Sequence, residues 1–120
     1  MEKVNMKIVT VSVLKAIPEL KKIATDYPST WNTFPTAIYR TVNTPHFVDG
    51  SGEELQTQWN ITIELYSNES LTDIAMTLLE SFGSIGFTGT SKDANTADLM
   101  RVIIDLSAIV DNRTKYVYTK

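Results

Sequence analysis

His46, the only histidine of the chain, stands three residues ahead of Asp49. A histidine beside a carboxylate is the pairing of a general base with the group that orients it. That chemistry needs a nucleophile, and no Ser or Cys elbow accompanies the pair. His46 therefore reads as an exposed histidine next to a turn. Glu53 and Glu54 are adjacent, and neighbours in a strand or turn point opposite ways, so they do not share a substrate. Asp93 and Asp98 lie in a loop whose path the sequence leaves open, and they read as solvated acids. Gly83-Ser84-Ile85-Gly86-Phe87-Thr88-Gly89-Thr90-Ser91-Lys92 comes nearest to a phosphate loop. It lacks the spacing of a Walker loop, and it follows a helix instead of leading into one. Trp31 and Phe34, set among prolines, could line a ligand groove, but such aromatics more commonly pack a long loop onto a sheet. With zero cysteines the chain has no thiol nucleophile, disulfide or thiolate zinc site, and one histidine rules out multi-histidine metal sites. The expectation is a protein with no catalytic residues, no cofactor and no metal.

The elements that would hold these residues come from a chain of 120 residues, 42% apolar and 21% charged, the profile of one globular domain. Its net charge of −3 does not suit a protein that grips nucleic-acid phosphates. Charge is unevenly placed: residues 27–98 hold two basic and nine acidic groups, which suggests an acidic face on the central elements. No stretch has the length or character of a membrane span or a signal peptide. The Asn-x-Ser/Thr triplets at Asn60, Asn68 and Asn112 are read as chance in a chain with sixteen threonines.

Val4, Ile8, Val11 and Leu14 fit a helical stripe, while Val9, Val11 and Val13 alternate as a strand would. Length and flanking lysines favour a helix over 3–16, stopped before Pro18. A short strand over 21–27 and an aromatic loop over 27–35 follow. Strands are predicted over 36–43 and 55–66, joined by a hairpin connection at 46–52 around Asp49-Gly50. Trp59, Ile61, Ile63 and Leu65 share one face of the second strand, and Gln58, Asn60, Thr62, Glu64 and Tyr66 the other. At ~3.3 Å per residue, Gln56–Tyr66 spans about 36 Å, as long as a domain of this size is wide, so the hairpin must cross the domain or protrude from it. Ser70 is the predicted cap of a helix over 71–82, with Leu71, Ile74, Ala75, Leu78, Leu79 and Phe82 as its apolar stripe and Gly83 as its left-handed stop. A short strand over 86–90, a polar loop over 91–98 and a long strand over 99–110 complete the order α-β-β-β-α-β-β. The class is α+β: a mostly antiparallel sheet with two helices packed on it and a long protruding β-hairpin. Residues 1–120 form one domain, with 111–120 as a candidate flexible C-terminal extension that folding does not need.

The string Tyr27-Pro28, Trp31-Asn32-Thr33-Phe34-Pro35 and Thr36-Ala37-Ile38-Tyr39-Arg40 resembles the opening of the small tail-completion, or tail-terminator, proteins of long-tailed bacteriophages. The likeness continues through the Asp49-Gly50 hairpin, the strand from Trp59 to Ser67, the helix closing on Phe82-Gly83-Ser84-Ile85-Gly86-Phe87, and the strand from Leu99 to Val110. It covers residues 8–110, and the order and spacing of the motifs carry it. The loop at 88–98 departs from the family's acidic-aromatic-Pro pattern, and the tail beyond Val110 has no counterpart there.

The resemblance implies a structural virion protein made in the host bacterial cytoplasm. It would cap the tail tube as a hexameric ring at the head–tail interface and join the tail to the head connector. The implied partners are further copies of the chain, the tail tube protein and the connector or stopper protein, with no membrane; DNA would pass through the ring without specific binding. A weak single interface would leave the free protein monomeric. Ile38, Tyr39, Val42, Ile103 and Ile109 are expected to sit on strand faces too wide for one monomer to shield. The hairpin and C-terminal segment supply the candidate interface residues, His46, Phe47, Asp49, Glu53 and Glu54 with Arg113, Tyr116 and Tyr118. Alternative readings are a head-completion or stopper protein of the phage neck, a small non-viral ligand-binding α+β domain and a host-encoded interaction module.

Overall fold

Asn5 opens the first helix. Its side-chain oxygen accepts the Lys7 N–H at 3.0 Å, and α1 runs Met6–Lys15, shorter at its start than the hydrophobic stripe suggests. In this computed structural model, which describes residues 3–118, the other elements are β1 (Lys22–Ala24), β2 (Thr36–Val48), β3 (Glu54–Ser67), α2 (Thr72–Ser84), β4 (Thr88–Asp93), β5 (Met100–Asp111) and β6 (Val117–Tyr118). The strands form one sheet in the order β1-β2-β3-β5-β4, with β6 paired to β5. Among the described residues only the short β1–β2 pairing is parallel, so the fold is α+β with a mostly antiparallel sheet.

Two-residue alternation separates the faces of that sheet. Trp59, Ile61, Ile63 and Leu65 of β3 join Val102, Ile104, Leu106, Ala108 and Val110 of β5 in the core, beneath Met6 and Leu14 of α1 and Ile74, Leu78 and Phe82 of α2. Among the described residues no helix lies on the second face. At one end it is covered by the segment 25–35, where Trp31 lies 4.5 Å from Tyr66 between ring centroids. The aromatic loop thus packs on the sheet, as its composition suggests.

Several boundaries differ from the sequence reading for local reasons. Leu71, not Ser70, is the N-cap of α2, and Ser70 Oγ lies 3.4 Å from the Thr72 N–H. Gly83 stays inside α2; the left-handed position falls on Gly86 (φ +103), where a Cβ would stand 2.6 Å from the Val117 carbonyl oxygen. Residues 91–93, expected in a loop, extend β4, which is exposed throughout because it pairs at the edge of the sheet. β2 runs on through His46 and Phe47, leaving a tighter turn at 49–53. Ile38 and Ile109, expected to need a neighbour's cover, are buried within the monomer, whereas Val42 is 60% exposed.

Candidate functional site

The molecule measures 52 × 27 × 23 Å, and 14-residue β3, at ~3.3 Å per residue, accounts for most of the long dimension. Its two ends carry different chemistry.

At the turn end, Asp49 Oδ1 accepts the Ser51 N–H at 2.9 Å, the Ser51 hydroxyl at 2.7 Å and the Glu53 N–H at 2.9 Å. The Ser51 hydroxyl first, then the Glu53 amide, hold the Asp49 carboxyl below its ordinary range. Asp49 is thus occupied in building the turn, and Gly52 supplies its positive φ of 87°. His46 and Phe47 are exposed beside it on β2. Glu54 accepts a hydrogen bond from the Thr57 hydroxyl and pairs with Lys3 at 3.1 Å; these contacts depress its pKa, the Thr57 bond most strongly, against the cost of burial.

The C-terminal segment meets the same end. Asn112 is fully buried: its Oδ1 accepts the Val4 N–H at 3.0 Å, and its Nδ2 donates to the Glu54 carbonyl at 3.2 Å and to Thr57 Oγ1 at 3.0 Å. Asp111 Oδ1 accepts the Arg113 and Thr114 N–H groups, folding the chain back so that Val117 and Tyr118 pair with Val110 and Ile109. Asp111 ends β5, Val117 and Tyr118 form β6, and the turn between them is held by the Asp111 and Asn112 hydrogen bonds. The segment expected to be dispensable for folding thus carries a buried anchor, and a chain ending before Asn112 would lack its hydrogen bonds to Val4, Glu54 and Thr57. The structure brings the turn residues 49–54 and the Arg113–Tyr116 turn together at one end, with Tyr116 73% exposed. Tyr118 lies on β6, and Glu53 flanks the Asp49 turn.

The far end holds a cluster that the sequence reading missed. Glu64, 4% exposed, accepts from the Tyr27 hydroxyl at 2.8 Å, the Tyr66 hydroxyl at 3.1 Å, Arg40 Nη1 at 2.7 Å and Arg101 Nη2 at 2.8 Å. Burial alone would raise its pKa, but the tyrosine and arginine donors overcome that and hold it below the ordinary glutamate value. Burial, and then the Glu64 charge, push the Tyr66 hydroxyl far upward. The Arg40 guanidinium stands 5.0 Å from the Tyr27 ring centroid and that of Arg101 5.7 Å from the Tyr66 centroid, placing both cations over aromatic faces. Tyr27, Trp31, Phe34 and Tyr66 with Leu99 and Asp98 line a hollow of about 720 Å³.

A third surface lies on the helix-free face between these ends. Asn60, Thr62, Thr88, Thr90, Asp105 and Ser107 line a shallow hollow of about 540 Å³, and the Thr62 hydroxyl donates to Asp105 Oδ1 at 2.9 Å. The acids of 27–98 do not gather there: they divide among the turn, the buried Glu64, Glu69 between β3 and α2, the outer side of α2, β4 and the loop after it. Among the described residues no group of three or more His, Asp or Glu side chains could hold a metal ion, and no helix is long and apolar enough to cross a membrane. No protein-family model matches the chain, and no curated protein matches its sequence.

Proposed function

We propose that this chain is a structural virion protein that closes a phage tail tube as a hexameric ring and joins the tail to the head connector. The observation that carries the reading is a sheet with two unpaired edges on opposite sides. β1 covers β2 only over Thr36–Ile38, so the outer edge of β2 from Tyr39 onward has no strand beside it among the described residues, and β4 ends the sheet on the other side. Such edges are templates for a neighbouring chain, and a ring of identical copies is one closed arrangement that occupies them. The motifs of the phage resemblance give further support through the work they do: Tyr27, Trp31 and Phe34 close one end of the sheet, and Phe82 and Phe87 stack edge-to-face where α2 turns back to β4. The central hollow is lined without lysine or arginine, which suits a surface past which DNA slides without phosphate binding.

The test is addition of the purified protein, separately, to tails and to heads isolated from particles that lack it. A tail-end ring requires that tails pre-incubated with the protein become competent to join untreated heads, while pre-incubated heads gain nothing. Activation of heads alone would assign the chain to the connector instead, and activation of neither would remove it from head–tail joining.

A further inference from the structure

The helix layer has two outer flanks, each an apolar hollow rimmed by charge of one sign. On α1, Ile8 (66% exposed) and Val11 lie between Lys7 and Lys15, and Tyr39 of β2 forms the opposite wall of a hollow of about 470 Å³. The helix contains no acidic residue. On α2, Met76 (62% exposed) and Leu79 lie between Asp73 and Glu80 in a hollow of about 650 Å³, and this helix contains no basic residue. Neither pair of apolar side chains serves as the main anchor of its helix, since Met6, Thr10 and Leu14 and then Ile74, Ala75, Leu78 and Phe82 fill the buried stripes. The two hollows share no lining residue: α1 packs against α2 and β1, with Tyr39 of β2 in its hollow, and α2 packs against α1, β4 and β5.

We infer that the α1 flank of one copy seats on the α2 flank of the next, a pairing that rests on the ring reading and names the faces that meet in it. Contact between unlike flanks desolvates Ile8 and Met76 together and sets Lys7 and Lys15 against Asp73 and Glu80. Contact between like flanks opposes lysine to lysine or carboxylate to carboxylate, which disfavours a two-fold dimer through either helix. The pairing is head-to-tail, repeats from copy to copy, and adjoins an open sheet edge on each side: β2 beyond Tyr39 next to α1, and β4 next to α2. Screening of the charged rim makes the contact weaken with salt.

The absence of cysteine from the sequence makes the test direct. A chain carrying both Ile8→Cys and Met76→Cys, treated with a short bis-maleimide reagent, is expected to give a ladder of covalent multimers. Ile8→Cys alone and Met76→Cys alone should give no cross-linked dimer, and a mixture of the two single variants should stop at dimers. Lys7→Glu with Lys15→Glu should abolish the ladder, and adding Asp73→Lys with Glu80→Lys to the same chain should restore it. Cross-linking of a single variant to itself would overturn the head-to-tail pairing. Sedimentation of the unmodified chain separates this claim from the ring. Multimers without 8-to-76 links overturn the pairing alone, and a ladder that grows without closing overturns the ring alone. Because a weak interface would leave the free chain monomeric, the cross-linking is repeated on tails decorated with the double variant, where a missing ladder overturns the pairing.

Discussion

Glu64 accepts hydrogen bonds from two tyrosines and two arginines that reach it from the aromatic segment, β2, β3 and β5. Replacing it by Gln removes the charge that two guanidiniums share. Breaking a buried pair costs about 3–5 kcal/mol, and the lower end applies because Arg40 and Arg101 both retain contact with water. Chemical denaturation of Glu64→Gln should therefore show a loss of about 3 kcal/mol, with the aromatic segment released first and Trp31 fluorescence changing ahead of the global transition. The folded-state pKa of Glu64 lies below its unfolded value, so its stabilisation is present above the ordinary glutamate range and is lost as pH falls through the depressed value. Wild type should lose stability on acidification below that range, and Glu64→Gln should show a flatter acid limb; identical limbs would contradict the assignment. Asn112 acts in the same way at the other end. Asn112→Ala leaves the half-buried Val4 N–H and Glu54 carbonyl without this partner, and a loss of about 1 kcal/mol, the lower end of the range for an unsatisfied group, is expected for each. Hydrogen exchange at Val4 should rise in that variant. Neither hub was legible beforehand. Glu64 sits on what reads as the polar face of a strand, and its arginines are 24 and 37 positions away, a link that only the β2–β3–β5 register reveals. Asn112 reads as a tail residue in a glycosylation-like triplet, yet it is wholly enclosed.

Among the elements, α2 is held by its inner stripe, and Leu78→Ala should cost about 2–5 kcal/mol because Leu78 is fully buried. Gly89 controls how closely β4 approaches β5: a Cβ there would lie 2.2 Å from the Asp105 carbonyl oxygen, which is backbone and cannot swing aside. Gly89→Ala should destabilise by about 1–3 kcal/mol, measured as a lower thermal midpoint, with increased amide exchange confined to β4 and its partners on β5. The strongly patterned elements were the legible ones. The alternation from Trp59 to Leu65, the stripe from Ile74 to Phe82 and the long strand ending near Val110 each bury one face against a single partner layer, so their periodicity survives folding. The weakly patterned ones were legible only in part: the start of β4 falls in the strand expected over 86–90, while its continuation over 91–93 and the whole of β6 do not show in the sequence. β4 is polar and exposed, so its existence depends on pairing with β5, and β6 is two residues placed by the turn that Asp111 organises. The open edge of β2 is partly blunted: Pro45 cannot donate, and the register shifts between Pro45 and Phe47 and again before Val48 disturb the strand near its end. The regular part of that edge is the stretch next to the α1 flank.

At the scale of the whole molecule, the long axis separates a turn end, where the hairpin and the Arg113–Tyr116 turn meet, from an aromatic end organised by Glu64. The open edges and the charged helix flanks lie across that axis. In the proposed ring such a body would repeat sideways through its flanks and would present one end to the tail tube and the other to the connector. The measurement that bears most directly on this account is imaging of purified tails decorated with the chain, with its copies counted at the head-proximal end. The account requires a sixfold ring there, with the strands of each copy crossing the ring wall and the α1 flank of each subunit against the α2 flank of the next. A single copy or a dimer at that end, or attachment to heads and not to tails, would contradict it.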